Sequence, residues 1–215
     1  MEISPIYGIF SIFALMKEIN ADIFNLNDEQ PQPIVGSMLV ARPTVGDPCF
    51  GRSVIAMFHH DTDGSMGVIL NRMTNLCLSD IIDDVKLSEE VPVFLGGPVN
   101  TEMMFFLHDL GPEVIADAEP LGNDLYVGGD YDAIKEYLAT GDSIASHMRF
   151  FVGYSGWEAG QLASELDRHD WVVLDGINSQ YALRTPYEKM WDEAVMRFGD
   201  RYRLWRNWPV EPTDN

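Results

Sequence analysis

Ser155 follows a short apolar run and a glycine and precedes a helix-like pattern, the local setting of an activated serine nucleophile. A nucleophile elbow reads Gly-x-Ser-x-Gly because small residues must flank the sharp turn, and here position 157 is tryptophan. A hydrolase of that order also needs a histidine after the acid, yet none follows His169, so Asp175 has no partner. Ser155 reads instead as a helix cap. His59 and His60 end a strand, where adjacent side chains point to opposite faces, so one of them at most serves a given site. His60, Asp61 and Asp63 would need His108 from a distant segment to form a ligand set. Asp61-x-Asp63-Gly64 is not calcium-loop spacing and HExxH is absent, so no metal ligand is assigned and Asp61 to Gly64 reads as a turn.

Two glycine clusters resemble phosphate cradles in content, Gly96-Gly97-Pro98 and the stretch from Gly153 to Gly160. Neither has the GxGxxG or GxxxxGK[ST] spacing, and Glu158 in a first helical turn would compete with an anion for the positive end of the dipole. Close packing of Gly156 and Gly160 on a strand accounts for those glycines. On the expected helix, Glu158, Gln161 and Glu165 share a face, and Gln161 offers a donor and an acceptor at the lip of a pocket. The candidate binding residues are therefore His60, Asn71, Gly97, His108, Tyr154, Trp157 and Gln161. No catalytic residue and no cofactor is assigned. For each histidine the plainer reading is a satisfied hydrogen-bonding partner.

The elements that must position these residues are mostly strands. Apolar runs separated by turn residues predict them at Met38 to Ala41, Val54 to Phe58, Val68 to Leu70, Val93 to Leu95, Phe105 to Leu107, Leu125 to Val127, Arg149 to Val152 and Trp171 to Leu174. Asp130 or Asp132 caps a helix over Ala133 to Thr140 with Gly141 as its stop, and Ser79 caps a short one through Val85. Ser155-Gly-Trp-Glu158 opens another, running to about Arg168. Thr185-Pro186-Tyr187-Glu188 is a capping box with proline at the first helical position, followed by an apolar face of Met190, Trp191, Ala194 and Phe198 and a stop at Gly199. Consecutive strands without helices between them disfavour an alternating parallel sheet, so the expected class is α+β with a mixed sheet.

The chain has 215 residues, of which 34 are acidic and 14 basic, for a formal charge of -20. Nucleic-acid affinity rests largely on Lys and Arg neutralising phosphates, so direct binding of nucleic acid by the whole surface is disfavoured. The excess acid lies in residues 1–183, with 28 acidic against 8 basic side chains, while residues 184–215 hold 6 of each. In that tail Arg197, Arg201, Arg203 and Arg206 interleave with Tyr202, Trp205 and Trp208, a composition able to stack on bases. Docking of the tail onto its own acidic body is the plainer reading. Cys49 and Cys77 make neither a disulfide framework nor a CxxC pair, which fits a cytoplasmic protein. The apolar run from Ile3 to Met16 is shorter than the roughly 20 residues that span a bilayer, so no membrane role is expected. Glu2 before that run and Met16-Lys17-Glu18 after it are not signal-peptide flanks.

Taken in order, Gly36-Ser-Met-Leu-Val-Ala-Arg-Pro43, Phe50-Gly-Arg-Ser-Val54, His60 to Asn71, Gly96-Gly-Pro-Val99, Phe106-Leu-His108, Gly153-Tyr-Ser-Gly-Trp157-Glu-Ala-Gly160-Gln-Leu162, Trp171 and Leu183-Arg-Thr-Pro186 with Trp191 resemble the AlgH/YqgE family of bacterial proteins. The resemblance covers Gly36 to Gly199. It implies a single compact α+β domain with a bifurcated, largely antiparallel sheet curled into a pseudo-barrel and a few flanking helices. It also brings a transcriptional-regulator label without a ligand or reaction. On this reading residues 1–35 are an N-terminal extension, 36–199 the AlgH-like domain, and 200–215 an Arg/Trp tail outside the family pattern.

The leading expectation is a cytosolic regulatory or binding protein acting through a small ligand or a protein partner. An enzyme of unfamiliar type using His60 and His108 is the alternative, and DNA binding through the tail is the third. A start of translation at Met16 instead of Met1 is a competing reading of the gene. The intact mass of the protein from its native host separates these, since a mass that includes residues 1–15 excludes the later start.

Overall fold

The apolar runs are continuous rather than alternating because the central strands are buried on both faces. In the computed structural model, which describes residues 30–208 except for 84 and 141–142, β1 (Met38–Ala41) puts Met38 and Val40 into one apolar cluster and Leu39 and Ala41 into another. β2 (Val54–His60) divides Val54 and Ala56 from Ile55 and Met57 in the same way. The remaining strands are β3 (Gly64–Ile69), β4 (Met73–Cys77), β5 (Pro92–Leu95), β6 (Val99–His108), β7 (Glu119–Pro120), β8 (Tyr126–Val127), β9 (Met148–Glu158) and β10 (Trp171–Leu174). Their main path is β10-β1-β2-β3-β9-β6-β8-β7, with β4 and β5 off it. Every pairing is antiparallel except that of β5 with β9. The sheet curls but does not close, since β10 and β7 stand at opposite ends of the path. The class is α+β, in one domain, as expected. Among the described residues no helix is long and apolar enough to cross a membrane.

β9 is where the sheet forks. β6 lies along one side of it, while on the other β5 pairs with Phe150 to Val152 and β3 with Ser155 to Glu158. Gly153, between these two stretches, has φ +68, and a Cβ there would come 2.5 Å from the Gly97 carbonyl oxygen. Only glycine fits both the left-handed backbone and that approach.

Several helix expectations change. No helix starts at Ser155, because Ser155 to Glu158 belong to β9, and α2 (Gln161–Asp167) begins only after Gly160 at φ +74. Gly160 therefore serves a turn, not packing, for a Cβ on it meets nothing within 4 Å. The Ser79 helix is a single 3-10 turn, Leu78–Asp80, in which the Asp80 carboxylate accepts from the Cys77 amide at 2.7 Å. α1 (Tyr131–Ala139) is capped by Asp130, which accepts from the Ala133 amide at 2.8 Å. Its proposed stop, Gly141, lies outside the described residues. So do the Ile3 to Met16 run and residues 209–215. α3 (Tyr187–Arg197) has Pro186 at its N-cap with no side-chain cap, so the Thr185 box does not form. Strands β4 and β7, polar and short, carry no apolar run and escaped the sequence reading.

α3 buries Met190, Trp191, Ala194 and Val195, and the Trp191 indole donates to the Ala41 carbonyl at 2.7 Å, tying α3 to β1. The 3-10 segment after it, Asp200–Asn207, returns Tyr202 and Trp205 to the same core. As far as residue 208 the tail thus docks on the body, with Phe198, Tyr202 and Trp205 in mutual ring contact and Arg206 paired with Asp192 at 3.3 Å.

Arg149 on β9 is 9% exposed and joins these layers. Its guanidinium donates to the carbonyls of Leu70 (3.2 Å), Leu183 (3.2 Å) and Thr185 (3.3 Å) and lies 4.7 Å from the Phe94 ring centre. Desolvation pulls its pKa down to about 10. Leu183 lies in a π-helical turn, Gln180–Arg184, and Thr185 leads into α3, so one side chain links β9, the exit of β3 and the entry to α3. An ammonium cannot span those three acceptors, and each lost charge-assisted bond is worth about 1.5–3 kcal/mol. Arg149→Lys is expected to lower stability by about 2 kcal/mol, read as a fall in the urea midpoint with an unchanged slope.

Candidate functional site

A hollow of about 560 Å³ forms an open groove where β3 meets the end of β9. Its walls are the turn between β2 and β3, the end of β9, Val99 at the start of β6 and the first residue of α2. The volume lies within the about 300–1,000 Å³ of small-molecule sites. Asp61 shapes the rim: its carboxylate accepts from the amides of Asp63 (2.8 Å) and Gly64 (3.2 Å). These bonds, led by that from Asp63, hold the Asp61 carboxyl below the usual carboxylate range. The turn does the backbone work its composition implied.

His59, not His60, lines the groove, and its Nε2 lies 3.1 Å from Asp61. The register of β2 against β3 shifts between Met57 and His59. His60 is exposed, with its Nδ1 2.7 Å from the Ser65 hydroxyl. Of the other candidates, Tyr154, Trp157 and Gln161 line the groove and so stand together. Tyr154 packs edge-on against Phe105 at 5.7 Å. Trp157 is 6% exposed and donates its indole N–H to Glu165, which accepts a second indole N–H from Trp171, both at 2.8 Å. Gln161 accepts from the Glu158 amide and donates to Glu165, both at 3.0 Å, which locks the α2 entry to the end of β9. Asp63 and Glu158 supply carboxylates, and no lysine or arginine is among the described lining residues.

Asn71, Gly97 and His108 lie elsewhere. The Asn71 amide accepts from the Val54 N–H at 3.0 Å and donates to the Arg52 carbonyl at 2.9 Å, fixing the start of β2. A Cβ on Gly97 would fall 2.3 Å from the Tyr154 carbonyl, so the glycine pair is a close strand approach rather than a cradle. His108 is fully buried, stacked on Tyr126 at 5.7 Å, with Nε2 3.0 Å from the Gly128 carbonyl and Nδ1 accepting from the Leu110 amide at 3.3 Å. That pattern belongs to the neutral ring, and burial keeps its pKa below the ordinary histidine value against the pull of Gly128 and Asp109. Ser155 is wholly buried and donates to the Gly96 carbonyl at 3.0 Å, so it is neither an elbow nor a helix cap. His59, Asp63 and Glu158 were not singled out as groove residues. Their sequence signals are weaker: His59 is one of two strand-end histidines of which one at most serves a site, Asp63 belongs to the turn, and Glu158 shares the expected face of Gln161.

Fold and groove together define an α+β protein with a forked, curled sheet and an acid-rimmed open site. The chain matches the AlgH-like family over residues 38–203 and belongs to it. It is 39% identical to a UPF0301 protein of Bacteroides fragilis over 92% of this chain and 99% of the relative. A UPF0301 protein of Bacteroides thetaiotaomicron is 38% identical over the same shares. Among solved structures, the solution structure of the AlgH protein from Pseudomonas aeruginosa aligns with a TM-score of 0.64 at 26% identity, covering 83% of this chain and 97% of that one. A crystal structure of a Corynebacterium diphtheriae protein aligns with a TM-score of 0.66 at 25% identity, covering 83% and 94%.

Two outcomes follow from this geometry. Gly97→Ala is expected to cost about 3 kcal/mol, since main chain must move, and to lower Tm by about 6 °C or more in a thermal melt. The unfolded chain takes up a proton on His108 near the ordinary histidine pKa of about 6.5, whereas the folded chain resists it. Stability contributed by the neutral ring is therefore fully present above about pH 6.5 and declines as pH falls below it, and His108→Gln is expected to flatten this slope in urea midpoints taken from pH 7 down to about 5.

Proposed function

We propose that this protein is a cytosolic binding protein of regulatory type, acting by holding a basic group of a small ligand or protein partner in the groove. The observation that carries the reading is the pairing of the Asp63 and Glu158 carboxylates with the half-buried Tyr154 ring on a concave surface. A cation gains from both the carboxylates and the ring face. Both cysteines are free thiols, in keeping with a reducing compartment. His60 and His108 sit on different strands with separate partners, which gives the enzyme reading no shared acid and base. Tyr202 and Trp205 are buried, which withdraws two of the tail's three rings from base stacking.

The test is a thermal-shift screen of amines, basic peptides, nucleotides and short DNA, with affinities of the hits then measured by calorimetry. A cationic hit is expected, weakened about tenfold, or about 1.4 kcal/mol, by Glu158→Gln and by Tyr154→Ala. Hits whose affinity neither change alters would place binding elsewhere and overturn the proposal.

A further inference from the structure

A second hollow, of about 240 Å³, lies between β5 and the start of α3 and differs from the groove in charge. We infer that it is a binding site for a small organic anion, a carboxylate or phosphomonoester on a short apolar body. Arg149 and Arg184 line it together with Met73, Phe94, Ala145 and Tyr187. None of its described lining residues is acidic, in a chain of formal charge -20.

The two arginines differ in what balances them. Arg184 pairs with Asp109 and donates to the Ser179 hydroxyl at 3.1 Å. Arg149 has main-chain carbonyls, the Met190 sulfur, the Phe94 ring and the Tyr181 phenol near it, and among the described residues it forms no ion pair. Carbonyl dipoles satisfy its N–H groups but do not cancel its charge, and an uncompensated buried cation is costly. A second feature points the same way. α3 starts at the hollow, since Thr185, Pro186 and Tyr187 line it, and Pro186 has no side chain to accept from the first-turn amides of this eleven-residue helix, so the positive end of its dipole lies close by. Glu188 in that turn is exposed, does not line the hollow and is engaged by the Tyr187 hydroxyl, so an anion in the hollow meets its charge at the rim and not inside. The volume falls below the about 300 Å³ at which drug-sized sites begin, and Phe94, Met73 and Tyr187 offer apolar contact, which favours a compact body over a nucleotide. The site does not depend on the groove or its ligand.

The experiment is a thermal-shift titration of the full chain with phenylphosphate and, separately, phenylacetate. Ionic strength is matched with sodium chloride, so that general screening of the acidic surface cancels. At about 100 times its dissociation constant the preferred probe raises Tm by about 5 to 10 °C. The shift is largely lost in Arg149→Met, which removes the charge, and in Ala145→Trp, which blocks the mouth from an exposed position. It survives in Glu158→Gln, which separates this site from the groove. The two probes show which headgroup is preferred. No shift with either probe, or a full shift in Ala145→Trp, overturns the inference. Should Arg149→Met fail to fold, Ala145→Trp decides alone.

Discussion

The structure depends on one strand having more partners than sides. β9 holds β6 along one side and divides the other between β5 and β3, and the division falls at a glycine whose backbone is left-handed. From this fork follow the close approach of Gly96 and Gly97 to β9, the burial of Ser155 over the Gly96 carbonyl, and the divergence of β3 from β5. The groove lies at the β3 end of β9, and the second hollow lies on the β5 side. Two concave sites of opposite charge thus arise from one branching of the sheet.

Burial on both faces explains why so acidic a chain folds. Three apolar clusters fill the two faces of the sheet and the space under α1, and the acidic side chains stay outside them. The charged side chains taken inside are cations, Arg42 and Arg149, and Arg149 is met by the carbonyls of Leu70, Leu183 and Thr185. The aromatic tail completes the core on the α3 side, with Arg42 5.5 Å from the Trp205 ring and Arg52 5.0 Å from the Trp191 ring. The basic and aromatic residues that looked like a nucleic-acid surface are in part the packing that closes the domain.

Eight strands were legible as apolar runs because burial, not alternation, sets their composition. β4 was not, since it pairs only with β5 and shows mixed exposure. The stretch from Ser155 to Glu158 misled for a physical reason: a serine and a glutamate three apart satisfy a helix start as readily as a strand end. Long-range pairing with β3 decided for the strand. In the candidate groove Tyr154, Trp157 and Gln161 could be named from the motif that holds them. His59, Asp63 and Glu158 join them through the bulge in β2 and the turn into β3, features set by register.

By itself the sequence determined the α+β class, the strand segments, the family resemblance and the acidic surface, all of which follow from composition and local pattern. Only the tertiary structure decided which histidine faces the groove, that Asn71, Gly97 and His108 hold the fold together, and that Arg149 is buried beside a hollow without a carboxylate partner among the described residues. The reason is that a side chain's role depends on what the other strands bring to it, and here the deciding partners, Gly128 for His108 and Leu183 for Arg149, lie 20 and 34 residues away along the chain. Local spacing carries no record of such a meeting.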